Sequence, residues 1–258
     1  MTDSTAAPAS WPRPYWQPGD EEALLQFYVF GKFDTDLAIP AARYGSDGLP
    51  EGVELQRFQN AVLRRWEGYP LIGALGALLK EDAPEVYEQA RLAPEVLVVR
   101  GRIADRDSLD YLRDTLGVIA ALLDVGGKSV LDPQILSLHD ADTWRRRYLV
   151  PGGAPPRSHV LIVCREDEAA PGRFHVHTRG LRKFGRPDVS LRNVPESATS
   201  QAGLLCERLV EMLALGARFA DGQELEVGGV FGSPVVRLSG DYEDPHFNNR
   251  TVEMHFPA

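Results

Sequence analysis

The run VLVVRGR, Val96–Arg102, is the feature that most limits what this chain can fold into. Its branched apolar residues are almost continuous, which is typical of a strand buried on both faces. Asp107 or Ser108 can cap the helix that follows, and Gly126 can end it. Ser129–Asp132 then begins a second strand, so the stretch predicts a strand, a helix and a strand. The predicted helix has its apolar residues on one face: Leu109, Leu112, Leu116, Ile119, Ala120 and Leu123.

A similar pattern follows later in the chain. Ser158–Cys164 reads as another core strand and Ala202–Leu215 as another amphipathic helix. The segment ARFADGQ after this helix aligns with KSVLDPQ of the first unit, with Asp and Gln coinciding. The likeness suggests a duplicated strand-helix-strand unit, with halves at residues 95–150 and 157–258; a chance likeness is the alternative.

The chain before residue 95 has a different organisation. Residues 1–20 are rich in proline and aromatic residues without periodicity, which predicts an extended arm. Residues 21–94 begin with a strand at Leu24–Phe33, and residues 95–258 form an α/β domain. Together these patterns predict an α+β fold, a mixed sheet with packed helices. Three helices are predicted in the second segment: Val53–Trp66, Leu71–Leu79 and Pro84–Leu92.

The charge of the chain excludes one class of function. The formal net charge is -9 and the isoelectric point is near 5.2, whereas a general nucleic-acid binder needs a basic surface. The start of the chain lacks the pattern of a signal peptide, and no apolar run approaches 20 residues. Cys164 and Cys206 lie in apolar runs and are expected to be reduced core residues. We therefore expect a soluble cytoplasmic protein that does not bind membranes.

One short segment, Phe174–Arg192, is basic within this acidic chain. Arg179, Arg182, Lys183 and Arg186 fall within eight residues, on a short helical turn predicted between two strands. Arginine is well shaped for paired hydrogen bonds to carboxylate or phosphate, so the four side chains are candidates for binding a protein partner or an anionic small molecule. The alternative is a solvated turn whose cations pair with the carboxylates of the chain itself.

His175 and His177 precede this turn and alternate with Phe174 and Val176. This period of two puts both imidazoles on one face of a strand, where they could bind a metal ion. A third ligand is required, and Asp188 or His246 could supply it. In the alternative interpretation both histidines line the polar face of the strand.

Four motifs resemble an uncharacterised family of soluble bacterial proteins, a domain of unknown function. They are HTRGLRKFGRPDVS, VRGRIADRDSLDYLRDTLG, LLDVGGKSVLDPQ and DPHFNNRTVEM. The resemblance runs from about Val96 to the C-terminus and is most specific at Thr178–Asp188. It implies a shared fold and a bacterial source, but it implies no activity, cofactor or catalytic residue.

No complete catalytic motif occurs in the sequence. There is no G-x-S-x-G, and the GGKS at Gly126–Ser129 lacks the earlier glycine of a phosphate-binding loop. The favoured function is therefore a non-enzymatic binding protein, of an adaptor or immunity-like kind, that uses the Phe174–Arg192 segment. The alternative is a metal-dependent hydrolase with an anionic substrate, and the sequence leaves open whether the chain is an enzyme and which cofactor it would use.

Overall fold

The computed structural model describes four parts of the chain and has an α+β fold. The described parts divide into two compact units. The described ranges are residues 8–59, 62–168, 170–243 and 248–255. Within these ranges, the first unit contains the described residues of 8–12, 24–103 and 108–154, and the second contains those of 13–23, 104–107 and 155–255.

The first sheet has five strands in the order β2-β3-β1-β4-β5. Its strand β3 is the apolar run that most limited the fold, and the residues Val96 to Val99 within it are buried. The strands are β1 Glu22–Gly31, β2 Val53–Gln59, β3 Glu95–Ala104, β4 Gly127–Asp132 and β5 Ser137–Asp140.

Four helices accompany this sheet in the first unit. One core cluster joins Leu79 and Ala90 on the first two helices to Phe30 and Val98 on the strands. The third helix is buried from Tyr111 to Leu123, on more than the single face that its apolar spacing predicts. The helices are α1 Gly73–Asp82, α2 Pro84–Leu92, α3 Asp110–Asp124 and α4 Ala141–Tyr148.

The prediction of a helix at Val53–Trp66 was wrong, because the first part of that range is β2. Leu55 pairs with Val99 in an antiparallel register along β3. Long-range backbone pairing therefore overrides the local helical spacing of the apolar residues. The same pairing places the sequence-based boundary between residues 94 and 95 inside one sheet, since β2 and β3 are neighbours.

The second sheet, in the second unit, has the order β6-β7-β8-β10-β9. Its pairs are antiparallel except that β8 runs parallel to β10. The helix α5, Thr199–Ala214, packs against β7 and β8. The strands are β6 Leu161–Asp167, β7 Ala170–Arg179, β8 Asp188–Pro195, β9 Arg237–Ser239 and β10 Thr251–His255.

The proposed duplication does not agree with these two sheets. KSVLDPQ contributes to β4, whereas the aligned ARFADGQ lies after α5 in neither a helix nor a strand.

The predicted N-terminal arm has a definite position from Pro8 onward. In the first unit the Leu109 N–H donates to the carbonyl of Trp11, and in the second unit the Arg13 N–H donates to the carbonyl of Asp107. Within the described ranges, no helix combines the length and the apolar character needed to cross a bilayer.

Asp140 caps the N-terminus of α4 and provides a test of the local fold. Its carboxylate accepts backbone N–H groups of Asp142 and Thr143, each at 2.9 Å. We expect Asp140→Ala to lower the free energy of unfolding by about 1 kcal/mol, because two helix N–H groups lose their acceptor. Urea unfolding measures this. Asp142→Ala, which removes an exposed carboxylate from the same turn, is the control and should change stability by less than about 0.5 kcal/mol.

Candidate functional site

The basic segment forms a tight turn between β7 and β8. The turn is one 3-10 helix, Leu181–Phe184, as the sequence predicts, and it ends at Gly185. Gly185 has a φ of 61°, a left-handed conformation that favours glycine. The turn therefore has a fixed course, and each basic side chain on it has a defined direction.

Asp188 holds this turn in place. One carboxylate oxygen accepts the Thr178 hydroxyl at 2.8 Å and the Leu181 N–H at 3.2 Å. The other accepts the Asn249 amide at 2.7 Å. Complete burial raises the pKa of Asp188 to about 6, against the opposing effect of these hydrogen bonds. Asp188 thus joins the turn to Asn249, two residues before β10.

Asp105 is the centre of a buried ion cluster in the second unit. Its carboxylate pairs with Arg13 at 2.6 Å, Arg186 at 2.9 Å and Arg218 at 3.0 Å. The Trp16 indole N–H donates to the same carboxylate at 3.0 Å. Burial by itself would raise the pKa of Asp105, but hydrogen bonds and charges from Arg186 and Arg13 outweigh burial and lower it. The carboxylate is therefore ionised at neutral pH. We call Arg13, Asp105, Arg186 and Arg218 the Asp105 cluster.

The expectation that the basic turn displays its cations is wrong for Lys183 and Arg186. The Arg186 side chain is 1% exposed and Lys183 is fully buried. Besides Asp105, Arg186 donates to the carbonyls of Gly185, Gly216 and Ala217. A buried guanidinium is tolerated because it has a counter-ion and because its N–H groups have acceptors.

Arg179 and Arg182 are half-buried, so the four predicted site residues do not form one surface. Arg182 donates to the carbonyl oxygen of Asn248 at 2.8 Å, and its guanidinium lies 4.6 Å from the ring centre of Tyr242. The guanidinium of Arg250 lies over the same ring, at 5.6 Å. Tyr242 therefore holds two arginine side chains close to one another.

A cavity of about 250 Å³ lies beside the Asp105 cluster within the second unit. Three arginines are among its lining residues, Arg186, Arg218 and Arg250, and Glu21 is the acid among them. Glu21 is paired with Arg218. The remaining wall is largely apolar and is formed by Pro187, Leu213, Phe219, Leu238 and Tyr242, with Ser239 and Gly240. We call this cavity the basic pocket.

Sequence reasoning found one lining residue of the basic pocket, Arg186, and missed the others. Arg218 has neighbours that form no motif, Arg250 lies in the DPHFNNRTVEM motif without any sign of a role, and Glu21 is one acid among many. Tyr242 and Arg250 lie on either side of DPHFNN in the sequence. They follow β9 and precede β10, whose antiparallel pairing brings the two ends of this connection together.

His175 and His177 stack against one another on β7, with ring centres 4.5 Å apart. Both side chains are buried, and Nε2 of His175 lies 3.0 Å from the hydroxyl of Ser190 on β8. Burial, followed by the charges of Arg192 and Arg165, lowers the pKa of His175 to about 4. Burial, followed by His175 and Arg165, lowers the pKa of His177 to about 3. Both imidazoles are therefore neutral at pH 7.

The hydrogen bonds continue from Ser190 towards the end of β10. Ser190 is 3.5 Å from Glu253, which also pairs with Arg192 at 3.3 Å and with His255 at 2.8 Å. Among the described residues, no group of three or more His, Cys, Asp or Glu side chains could hold a metal ion. Asp188 does not complete a site with His175 and His177, because both of its oxygens accept other hydrogen bonds. His246 lies outside the described residues.

The two cysteines are free thiols in different environments. Cys206 is fully buried on α5, and burial raises its pKa to about 12. Cys164 lies on the edge strand β6 and is exposed, which corrects the expectation that both are core residues. Partial desolvation also raises the pKa of the Cys164 thiol, so neither cysteine has the lowered pKa of a reactive thiolate.

Comparisons with family models, with curated proteins and with solved structures gave no match. No family is therefore shown for this chain, and its resemblance to an uncharacterised bacterial family stays a prediction.

The Asp105 cluster can be tested by removing its negative charge. We expect Asp105→Asn to lower the free energy of unfolding by about 3 to 5 kcal/mol, because Arg13 and Arg186 would be left buried without a counter-ion. Urea unfolding followed by circular dichroism measures this. Asp107→Asn makes the same chemical change at an exposed position two residues away and is the control. Equal stability of the two variants would contradict the central role of Asp105.

The two buried histidines predict that acid destabilises the second unit. Their folded pKa values lie below the unfolded value of about 6.5, so the unfolded chain binds more protons as the pH falls. Between pH 7.5 and pH 5 each histidine should remove about 2 kcal/mol of stability. Asp188 has a raised pKa in the folded state, so it acts in the opposite direction. Its protonation should increase the free energy of unfolding by about 1 kcal/mol over the same pH range.

Denaturant unfolding at both pH values measures this difference. His177→Gln removes one of the two buried titrating groups, so the loss of stability on acidification should shrink by about 2 kcal/mol. His255→Gln changes an exposed imidazole on β10 and is the control, because the buried pair remains intact. If the free energy of unfolding of His177→Gln falls between pH 7.5 and pH 5 by as much as that of the original protein, the buried histidine pair does not cause the acid destabilisation.

Proposed function

We propose that this protein binds a small anionic molecule in the basic pocket. One observation carries the proposal. Arg250 lines the pocket, and its guanidinium makes no hydrogen bond to any described residue. An arginine side chain has five N–H donors in a planar fork, suited to carboxylate and phosphate oxygens. Arg250 therefore offers a complete set of donors to a ligand.

Arg218 adds further donors beside Arg250. It donates to the Gln17 carbonyl, to Glu21 and to Asp105, which uses three of its five N–H groups. The other two have no acceptor among the described residues. Arg186 uses four of its donors within the protein and contributes mainly positive charge.

The Asp105 cluster supports binding by holding Arg218 in place before a ligand arrives. Arg218 is tied to three acceptors, so little side-chain freedom remains to be lost on binding. The local charge also favours an anion. The four guanidinium groups of Arg13, Arg186, Arg218 and Arg250 face two carboxylates, those of Asp105 and Glu21, and leave two net positive charges in a protein with a formal charge of -9.

A small ligand fits this arrangement better than a protein partner or a metal-assisted reaction does. The cationic groups with unused donors converge on a concave pocket rather than on a flat surface, which is typical of small-molecule sites. The metal-dependent hydrolase required His175, His177 and Asp188 to act together, and their hydrogen bonds do not favour that reading. General nucleic-acid binding stays disfavoured by the acidic charge.

We also propose the cytoplasm as the location of the protein. The support is that Cys164 and Cys206 are both free thiols, as expected in a reducing compartment. A bacterial source remains an expectation from the sequence resemblance.

The proposal predicts that anion binding depends on Arg250. In a buffer of low ionic strength, phosphate and acetate at millimolar concentrations should raise the melting temperature, because a ligand that binds only the folded state stabilises it. Arg250→Ala should remove at least about nine tenths of the anion affinity, as measured by isothermal titration calorimetry. Its own stability should change by less than about 1 kcal/mol, since the side chain is exposed.

Arg208→Ala is the matched control for this experiment. Arg208 is an exposed arginine on α5 in the same unit, and it does not line the basic pocket. Its variant should bind anions as the original protein does. Equal weakening in both variants would indicate general charge screening and would contradict a specific site at Arg250.

A further inference from the structure

The walls of the basic pocket differ in chemistry, and this limits the ligand further. One part carries the donors of Arg218 and Arg250. Much of the rest is apolar: Pro187, Leu213, Phe219, Leu238 and the ring of Tyr242. An inorganic anion would contact the arginines and leave the apolar wall against water.

We infer that the ligand is an amphipathic acid, with one anionic head and an apolar body of about the size of a phenyl ring with a short side chain. This inference rests on the proposed function and deepens it. A cavity of about 150 Å³ accommodates benzene, so the 250 Å³ of the basic pocket admits an aryl or branched alkyl group together with an acidic group. The head contacts Arg250 and Arg218, and the body covers the apolar wall.

Glu21 opposes a second anionic group on the same ligand. Its carboxylate lines the pocket and already pairs with Arg218, so a second negative charge would meet repulsion there. The apolar wall has no compensating donor for such a group. The geometry thus favours one acidic end and one apolar end over a molecule that is charged at both ends.

Leu238 is the part of the apolar wall best suited to a test. It lies on β9 with its side chain partly open, the residue being 49% exposed, so shortening it should not damage the core. Leu204 on α5 is 59% exposed and lies outside the pocket, which makes it the matched control.

The experiment measures binding of three probes to the whole chain by isothermal titration calorimetry at low ionic strength. The probes are acetate, 3-phenylpropionate and its neutral counterpart 3-phenylpropan-1-ol. We expect 3-phenylpropionate to bind at least about tenfold more tightly than acetate, because burying the apolar body adds to the contact of the head. The alcohol should bind at least about tenfold more weakly than 3-phenylpropionate, because it has no charge for the arginines.

Variants separate the two parts of the ligand. Leu238→Ser should weaken 3-phenylpropionate about fivefold and leave acetate unchanged, whereas Leu204→Ser should change neither. Arg250→Ala should weaken both acids. Phenyl phosphate, tested in parallel, distinguishes a phosphate head from a carboxylate head, and an advantage of either aryl acid over its bare anion supports the inference.

The results that overturn the inference differ from those that overturn the proposed function. If neither 3-phenylpropionate binds more tightly than acetate nor phenyl phosphate more tightly than inorganic phosphate, the amphipathic ligand is rejected and an anion site remains. Binding of the alcohol as tight as that of 3-phenylpropionate would also reject it. No Arg250-dependent binding of any acid would reject both.

Discussion

The second unit depends on the ion pairs that the Asp105 carboxylate makes. Three arginines converge on this one group, and the side chains of two of them, Arg13 and Arg186, are almost completely buried. Removing such charges from water costs several kcal/mol for each ion, so they are tolerated only with counter-ions and saturated hydrogen bonds. Backbone carbonyls accept the remaining hydrogen bonds of these arginines, including the carbonyls of Ala214, Phe184 and Gly216.

The Asp105 cluster takes its side chains and its hydrogen-bond acceptors from four distant parts of the chain. They are the segment around Arg13, the short stretch around Asp105, the turn that ends at Gly185 and the residues after α5. Gly216 allows a close approach of two backbones, because a Cβ at that position would lie 2.4 Å from the Cα of Trp16. We therefore expect the cluster to specify one arrangement of these segments more than it adds net stability, because desolvation of buried ions opposes their mutual attraction.

The basic pocket is a consequence of the same network. Arg218 joins the Asp105 cluster on one side and lines the pocket on the other, so its position is set by acceptors inside the protein. Arg250 is held differently, by the ring of Tyr242, and keeps its donors available.

The stacked histidines on β7 are buried as neutral side chains. Desolvation lowers their pKa values until both are neutral, so no counter-ion is needed.

The sequence alone determined the elements whose pattern is local and strong. The apolar run of β3, the helix that follows it, Pro84–Leu92 and the turn between β7 and β8 all agree with the structure. In these segments hydrophobic periodicity and glycine lie next to the element that they specify. The predicted cap of α3 at Asp107 or Ser108 was wrong, because Leu109 occupies the N-cap position and no side chain caps the helix. The α+β class follows from the same signals.

Only the tertiary structure decided the partners of individual side chains. Arg186 and Arg182 look alike in a basic turn, yet one is buried against a carboxylate 81 residues away and the other is half-buried beside Tyr242. Val53–Gln59 became a strand because β3 offered it a pairing edge. No local pattern records such long-range pairings, since the position of a charge or a strand edge depends on which distant segments the folded chain brings together.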